Sequence, residues 1–111
     1  MKDKVIFVDI DGTLCSQTQS DYKNAIPFPE AIKKVNELYD KGNKIIIYTA
    51  RFMSRTNNDV KKVNEIGYKF TFDQLKSWGL KFHELKMGKP QFHLIIDDRS
   101  YNYKNSWTQL L

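Results

Sequence analysis

The stretch Val5–Thr13, with the sequence VIFVDIDGT, decides the fold expected for this chain. Its four leading apolar residues predict a β-strand buried on both faces, as in a parallel sheet covered by helices. Asp9 and Asp11 follow at a spacing of two, before Gly12 begins a turn. Loops gather at the carboxyl ends of parallel strands, so both carboxylates are expected at a site there, although they could also simply cap the next segment.

The following residues continue the pattern of an α/β protein. Strand, helix and strand in this order predict a right-handed parallel crossover. In the helical region, Gly67 is expected to close a first segment, and Thr71 with Gln74 forms a candidate capping box for a second, so one helix or two remain open. The predicted elements are a helix from Pro29 to a stop at 40–43, a buried strand at 44–49, helical segments within 56–78, strands at 81–85 and 92–96, and a closing helix within 101–111 that buries Trp107, Leu110 and Leu111.

Composition limits the class of protein. A chain of 111 residues with 41% hydrophobic content fits a single globular domain, expected to span 1–111. The net charge of +5 comes from scattered basic residues and only weakly favours anionic partners. A single cysteine, Cys15, excludes an intrachain disulfide and a cysteine-rich zinc site. No signal peptide or membrane span is recognisable, so a cytoplasmic, soluble protein is expected.

Polar side chains follow three of the predicted strands, at the point where each strand ends. They are Asp9 with Asp11, Thr49, and the Asp97-Asp98 pair, and Lys89 lies in the loop before the last strand. Clustered carboxylates repel one another unless a cation bridges them, and oxygen ligands of this kind suit Mg²⁺. A threonine hydroxyl, a lysine and the backbone N–H groups of the Gly12-Thr13 turn could hold the oxygens of a phosphate. The set therefore predicts phosphate chemistry with a carboxylate nucleophile.

These residues resemble the four motifs of the haloacid dehalogenase superfamily, in the same order along the chain. The matching stretches are Asp9–Thr13, Thr49 after an apolar strand, Lys89-Pro90, and Asp97-Asp98 after an apolar strand. More narrowly, Thr49-Ala50-Arg51 and positions between Gln74 and Asp98 resemble small capsule-biosynthesis-type phosphatases of that superfamily. The resemblance implies a three-layer α/β/α Rossmann-like parallel sheet without a sizeable cap domain, with residues 14–25 as a flap.

The resemblance also implies catalytic roles. Asp9 would be the nucleophile and a Mg²⁺ ligand, and Asp11 would be the general acid and base and would touch the metal through its backbone carbonyl. Thr49 would hold the phosphoryl oxygens. Lys89 would neutralise charge on the nucleophile and the phosphate, although Lys86 competes for this role from a nearby position.

The remaining implied roles concern the metal and the substrate. Asp97 would complete the Mg²⁺ site, and Asp98 would ligate through water or orient Lys89. Phosphate or substrate contacts are expected from Gly12, Thr13, Ala50 and Arg51.

The expected substrate is a sugar phosphate or related metabolite, with a link to capsule or surface-polysaccharide synthesis. A polynucleotide 3′-phosphatase is an alternative that the positive charge favours and the lack of a basic stripe interleaved with aromatics disfavours. A receiver-like phosphoacceptor domain is a second alternative, since it uses similar residues in a different order. An open site without a cap suits either a large substrate or a small one enclosed by oligomerisation, so a homo-oligomer is one of two alternatives that the sequence leaves open.

Overall fold

A three-stranded parallel sheet forms the centre of the computed structural model, which describes residues 1–101 and 107–110. Strands β1 (Val5–Val8), β2 (Lys44–Tyr48) and β3 (Glu84–Lys86) lie in the order β1-β2-β3. All pairs are parallel, with Val8 beside Ile47 and Ile47 beside Leu85. The chain is therefore a small α/β protein of Rossmann-like type without a cap, as the sequence predicts. Strand β3 lies at 84–86 rather than at the predicted 81–85.

The first helix has the bounds that its capping signals predict. Helix α1 runs from Pro29 to Asp40 and ends just before Gly42. Proline suits the first helical turn, where its missing N–H leaves no hydrogen bond unmade. The helix buries Ala31, Ile32, Val35 and Leu38 in the core. The predicted crossover from β1 through α1 to β2 is confirmed.

The region 56–78 contains one long helix, α2, which runs from Val60 to Ser77. Asp59 is its N-cap, because its carboxylate accepts a hydrogen bond from the Lys62 amide at 3.2 Å. Of the two alternatives that the sequence leaves open, the structure has the single helix, which continues through Gly67, so Thr71 and Gln74 do not form a capping box. Thr71 is buried inside the helix, and the Phe52 ring packs against the bare backbone of Gly67.

Strand β1 is covered less completely than the sequence predicts. The side chains of Val5 and Phe7, on one face, are 63% and 52% exposed, whereas Val8 is buried on the other. The three isoleucines of β2, Ile45–Ile47, are all buried, so both faces of the central strand are covered. The expectation that β1 is buried on both faces is wrong, because the face that carries Val5 and Phe7 is largely uncovered at this edge strand.

The predicted strand at 92–96 is not part of the sheet. Its residues form neither a strand nor a helix, and all of them are exposed. Leu94 and Ile96 are 76% and 92% exposed. The apolar run satisfies the local requirements of a buried strand, but here no neighbouring strand pairs with it. Asp97 and Asp98 are consequently exposed as well.

The last element that the structure describes is a short helix, α3, from Trp107 to Leu110. Trp107 is buried in the core, and α3 contacts α1, so the inward packing of this tryptophan is confirmed. Residues 102–106 and Leu111, which the sequence assigns to the closing segment, lie outside the described residues. Within the described part of the chain, no helix is long and apolar enough to cross a membrane.

Replacing Gly67 by alanine is expected to destabilise the protein. A β-carbon there would lie 2.4 Å from Cδ2 of Phe52, so the aromatic ring must move. Overpacking of this kind costs about 1–3 kcal/mol, more than the roughly 1 kcal/mol that alanine gains over glycine in a helix. Urea unfolding of Gly67→Ala measures the loss. The double variant with Phe52→Leu should lose less than the sum of the two single changes, and strict additivity would contradict the packing argument.

Candidate active site

A cleft of about 460 Å³ lies at the carboxyl ends of β1 and β2. Because both strands run in the same direction, the residues that follow them meet at this edge. The lining residues are Asp9, Asp11, Gln17, Thr18, Gln19, Ser20, Tyr22, Thr49, Ala50, Arg51, Lys89, Pro90, Gln91 and Phe92. A second hollow of about 540 Å³ lies beside α1 and is lined by none of the predicted site residues. The first cleft is therefore the candidate active site.

The turn after β1 places Asp11 at the cleft and directs the backbone away from it. Gly12 has a φ of +83°, a left-handed conformation that glycine adopts without strain. Its N–H donates to the Cys15 carbonyl at 2.9 Å, and the Thr13 N–H donates to the Ile10 carbonyl at 3.0 Å. Both amides are thus hydrogen-bonded within the turn, and neither Gly12 nor Thr13 lines the cleft. The phosphate-binding role expected from the sequence would require both residues to lie there.

Asp9 and Lys89 face each other across the cleft. Nζ of Lys89 lies 3.4 Å from Oδ1 of Asp9. The Lys89 N–H donates to the Thr49 carbonyl at 3.1 Å, which ties the Lys89 loop to the end of β2. Lys86, the competing lysine, instead lies over the Phe7 ring, 5.8 Å from its centre. Of the two lysines, Lys89 is the one positioned at the nucleophile candidate.

Partial burial raises the pKa of Asp9 above its ordinary value. The main cause is desolvation of the carboxylate, and the negative charge of Asp11 adds a smaller effect in the same direction. Lys89 and the backbone N–H of Ile10 oppose the rise, because both stabilise the ionised form. A cation or a positively polarised group that entered the cleft would therefore be attracted to Asp9 in its charged form.

Asp11 is held by a buried arginine. Nε of Arg51 lies 2.8 Å from Oδ2 of Asp11, and Nη2 lies 2.9 Å from Oδ1. The guanidinium also donates to Oε1 of Gln74 at 2.6 Å and lies 4.6 Å from the centre of the Tyr22 ring. The Arg51 side chain has no exposed area. Its position favours fixing Asp11 over the substrate contact that the sequence suggests.

The same network reaches the flap. The Gln74 side chain donates to the Tyr22 carbonyl at 2.7 Å, and the Tyr22 hydroxyl accepts from the Phe52 amide at 3.3 Å. Arg55 donates to the Ser20 carbonyl at 2.9 Å and stacks on the Phe52 ring. These contacts connect the wall of the cleft formed by residues 18–22 to α2 and to the loop after β2.

Thr49 and Ala50 occupy the end of β2 as predicted. The buried Thr49 hydroxyl accepts a hydrogen bond from the Arg51 amide at 3.1 Å. Accepting this bond leaves the hydroxyl proton free for a substrate oxygen. Ala50 lines the cleft beside it with a small side chain that leaves room for a ligand.

Cys15 is a structural residue, in agreement with its interpretation from the sequence. It is completely buried, and its thiol lies 3.5 Å from Oδ1 of Asp11. Burial, together with the neighbouring carboxylate, raises the pKa of the thiol to about 12. A thiol of this kind is protonated at neutral pH and is a poor nucleophile.

Asp97 and Asp98 are not brought to the cleft. Both are exposed, and Oδ1 of Asp97 accepts a hydrogen bond from the Arg99 amide at 2.8 Å. Among residues 1–101 and 107–110, no three histidine, cysteine, aspartate or glutamate side chains are grouped closely enough to hold a metal ion. Arg51 already engages both oxygens of Asp11, which leaves Asp9 as the one carboxylate open to a metal. The donors that one chain assembles in the cleft therefore do not fit Mg²⁺.

Two glutamines at the site were not predicted to act there. Gln74 was interpreted as part of a cap, yet it joins Arg51 to the flap. Gln17 donates to the Asp11 carbonyl at 3.3 Å, the group that the resemblance assigns to the metal. A glutamine near the C-terminal end of α2 gives no local signal of this role, because its partners Arg51 and Tyr22 are distant in sequence.

Comparisons with known proteins agree with the geometry. The family model described as haloacid dehalogenase-like hydrolase matches residues 6–72, more than half of the chain. A crystal structure of a target protein from Vibrio cholerae aligns with a TM-score of 0.83 and 28% identity, covering 96% of this chain and 94% of that one. A comparison with curated protein sequences gave no match.

Removing the charge of Asp9 is expected to stabilise the folded protein at neutral pH. Because the pKa of Asp9 is higher in the folded protein than in the unfolded chain, protonation of Asp9 stabilises the fold. This contribution to the free energy of unfolding is present at low pH and is lost as the pH rises through the folded-state pKa. In metal-free buffer, Asp9→Asn should therefore have the larger free energy of unfolding near pH 7, and the difference should shrink at about pH 3. Urea unfolding at both pH values measures it. Asp73→Asn, at an exposed carboxylate, is the control, and a less stable Asp9→Asn at neutral pH would contradict the assignment.

Proposed function

Since the chain belongs to the haloacid dehalogenase-like hydrolase family, we propose that it is a phosphatase that hydrolyses phosphate monoesters at the cleft described above. The observation that carries this proposal is the facing pair of Asp9 and Lys89, with Thr49 beside it and Asp11 held by Arg51. Phosphoryl transfer through a covalent intermediate needs a nucleophile and a second carboxylate in a fixed position. It also needs a cation and a hydroxyl group that bind the phosphate oxygens.

The proposed reaction has two steps. A carboxylate oxygen of Asp9 attacks phosphorus, and the bond from phosphorus to the ester oxygen breaks. Asp11, which is ionised in its pair with Arg51, takes up a proton when the phosphate anion binds beside it and donates that proton to the leaving oxygen. Water then attacks phosphorus in the aspartyl-phosphate, Asp11 accepts a proton from the water, and phosphate leaves with Asp9 regenerated. Lys89 and the Thr49 hydroxyl stabilise the charge on the phosphoryl oxygens in both steps.

We also propose that activity depends on Mg²⁺. Members of this family typically use the ion, which neutralises charge between carboxylates and a phosphate. The cleft of one chain lacks the ligands for it, so this part of the proposal depends on delivery of Asp97 and Asp98 to Asp9.

The substrate is proposed to be a sugar phosphate or related metabolite. The cleft is open and carries an aromatic ring, that of Tyr22, with amide and hydroxyl groups from 17–20. Such a lining suits a polyhydroxylated ligand, whose hydroxyls need hydrogen-bond partners. A role in capsule or surface-polysaccharide synthesis is the pathway that the resemblance of Thr49-Ala50-Arg51 to the small phosphatases suggests.

Asp9→Asn is expected to abolish phosphate release, because an amide cannot form the covalent intermediate. The measurement is release of inorganic phosphate with Mg²⁺ from a panel of sugar phosphates and a 3′-phosphorylated oligonucleotide. Circular dichroism checks that the variant is folded. Turnover retained by Asp9→Asn would contradict the mechanism, and preference for the oligonucleotide would favour a polynucleotide 3′-phosphatase.

Arg51 is proposed as a positioning residue that acts through Asp11. Its two-point contact sets the direction of the carboxylate, which a single point charge would not do. Asp11 matters most when the leaving group is a poor one, because an alkoxide needs a proton and a nitrophenolate does not. The effect of changing Arg51 should therefore depend on the leaving group.

Arg51→Lys is expected to lower kcat/KM, which reports the first step, by about 100-fold for an alkyl phosphate and only a few-fold for p-nitrophenyl phosphate. Lysine keeps the positive charge but loses the paired hydrogen bonds. In an Asp11→Asn background, the same change should have little further effect, since the group it positions is already gone. Equal losses on both substrates, with a raised KM, would instead indicate that Arg51 binds phosphate directly.

A further inference from the structure

The outer edge of β1 is an unusual feature of this fold. In the described part of the chain β1 is the terminal strand of the sheet, and its side chains Val5 and Phe7 are more than half exposed. An edge strand that presents apolar side chains and unpaired backbone groups is a template for another strand. β1 contains neither a proline nor a charged side chain, two of the features that commonly protect an edge strand.

The segment Phe92–Ile96 has the complementary property. It carries four large apolar side chains that are all exposed, and its five residues are enough to span the four-residue edge of β1. Exposed apolar runs of this size are rare in proteins that remain single chains. The segment therefore has the sequence of a buried strand but does not pair with a sheet in the described structure, and the outer edge of β1 has no neighbouring strand there.

The connection is too short for the segment to reach the β1 edge of its own chain in parallel. Only residues 87–91 separate β3 from Phe92, whereas parallel crossovers need about a dozen residues or more. Lys89 is bonded to the Thr49 carbonyl at the carboxyl edge of the sheet. The three peptide units from Lys89 to Phe92 span at most about 11 Å. If Ile96 paired with Val8 of the same chain, Phe92 would lie about 13 Å from the carboxyl end of the strand. It would also lie about 10 Å, two strand spacings, to the side of β2, where Lys89 is held. Phe92 would therefore be farther from Lys89 than the connection can span.

We propose that Phe92–Ile96 pairs with the β1 edge of a second copy, and that two chains exchange these segments reciprocally. A second copy is free of the connection constraint, and identical chains offer identical edges and segments, which favours a closed two-fold dimer. Pairing of Ile96 with Val8 places Ile95 beside Phe7 and covers the exposed edge. The same register puts Asp97 of the partner subunit beside Asp9.

Strand exchange would make the active site composite. Asp9, Thr49 and Lys89 come from one chain, and the carboxylates that the cleft lacks come from the other. This consequence rests on the proposed phosphatase function, but the exchange itself does not. It also accounts for a cleft that holds one open carboxylate in a chain whose sequence contains all four motifs.

The first test is the oligomeric state and the identity of the paired strands. The wild type is expected to have the mass of a dimer by light scattering, and Leu94→Lys is expected to be a monomer. Ile66→Lys, which places the same charge on an exposed apolar position of α2, should remain a dimer. Phe7→Cys and Ile95→Cys chains refolded together and oxidised should form a disulfide-linked heterodimer. A monomeric wild type, or absence of this crosslink, would overturn the proposal.

The second test is complementation between inactive chains. Asp9→Asn and Asp97→Asn proteins should each lack phosphatase activity, and an equimolar mixture refolded together should recover about a quarter of the wild-type activity. Half of the dimers are then mixed, and each mixed dimer contains one site with both aspartates intact. If strands pair within a chain, no site is restored and the proposal is wrong. If the wild type itself releases no phosphate, the proposed function fails, and mass and crosslinking still decide the exchange.

Discussion

The buried ion pair of Arg51 with Asp11 is the interaction on which the rest of the site depends. A guanidinium without exposed area is stable only if its charge is paired and its donors are bonded. Its partners come from three places besides its own loop: the turn after β1, helix α2 and the flap. Arg51 is therefore stable only when these segments are in position together. A change that displaces one of them also changes the hydrogen bonds that hold Asp11.

Packing of the loop after β2 reinforces that dependence. Phe52 has a φ of +69°, a strained conformation for a bulky residue, and its ring lies on the backbone of Gly67. Its amide bonds to the Tyr22 hydroxyl, so one residue fixes the loop to α2 and to the flap. Strain of this kind persists where surrounding contacts over-determine it, which is often at a functional site. The shape of the cleft is thus set by packing behind it.

The sheet imposes a constraint of a different kind. A parallel strand must return to the start of its neighbour before it can pair, and the loop that carries Lys89 holds the chain at the opposite edge. Keeping Lys89 at Asp9 and pairing Phe92–Ile96 with the same chain's β1 are incompatible demands. The proposed exchange between two copies would satisfy both, and it would link assembly of a dimer to completion of the carboxylate cluster.

Local signals in the sequence determined α1, β2 and the meeting of Asp9 with Thr49 at one edge. A proline at the first helical turn, a glycine after the last and a run of isoleucines act over a few residues, so they can be recognised without a structure. The family motifs likewise indicated Lys89 at the nucleophile. The tertiary structure alone decided that α2 continues through Gly67, that Arg51 serves Asp11 and that Phe92–Ile96 stays out of its own sheet. The first two depend on contacts between residues distant in sequence, such as Arg51 and Asp11, which are 40 residues apart. The third depends on the length of the loop between β3 and Phe92. Hydrophobic periodicity contains no information about distant contacts or about loop reach.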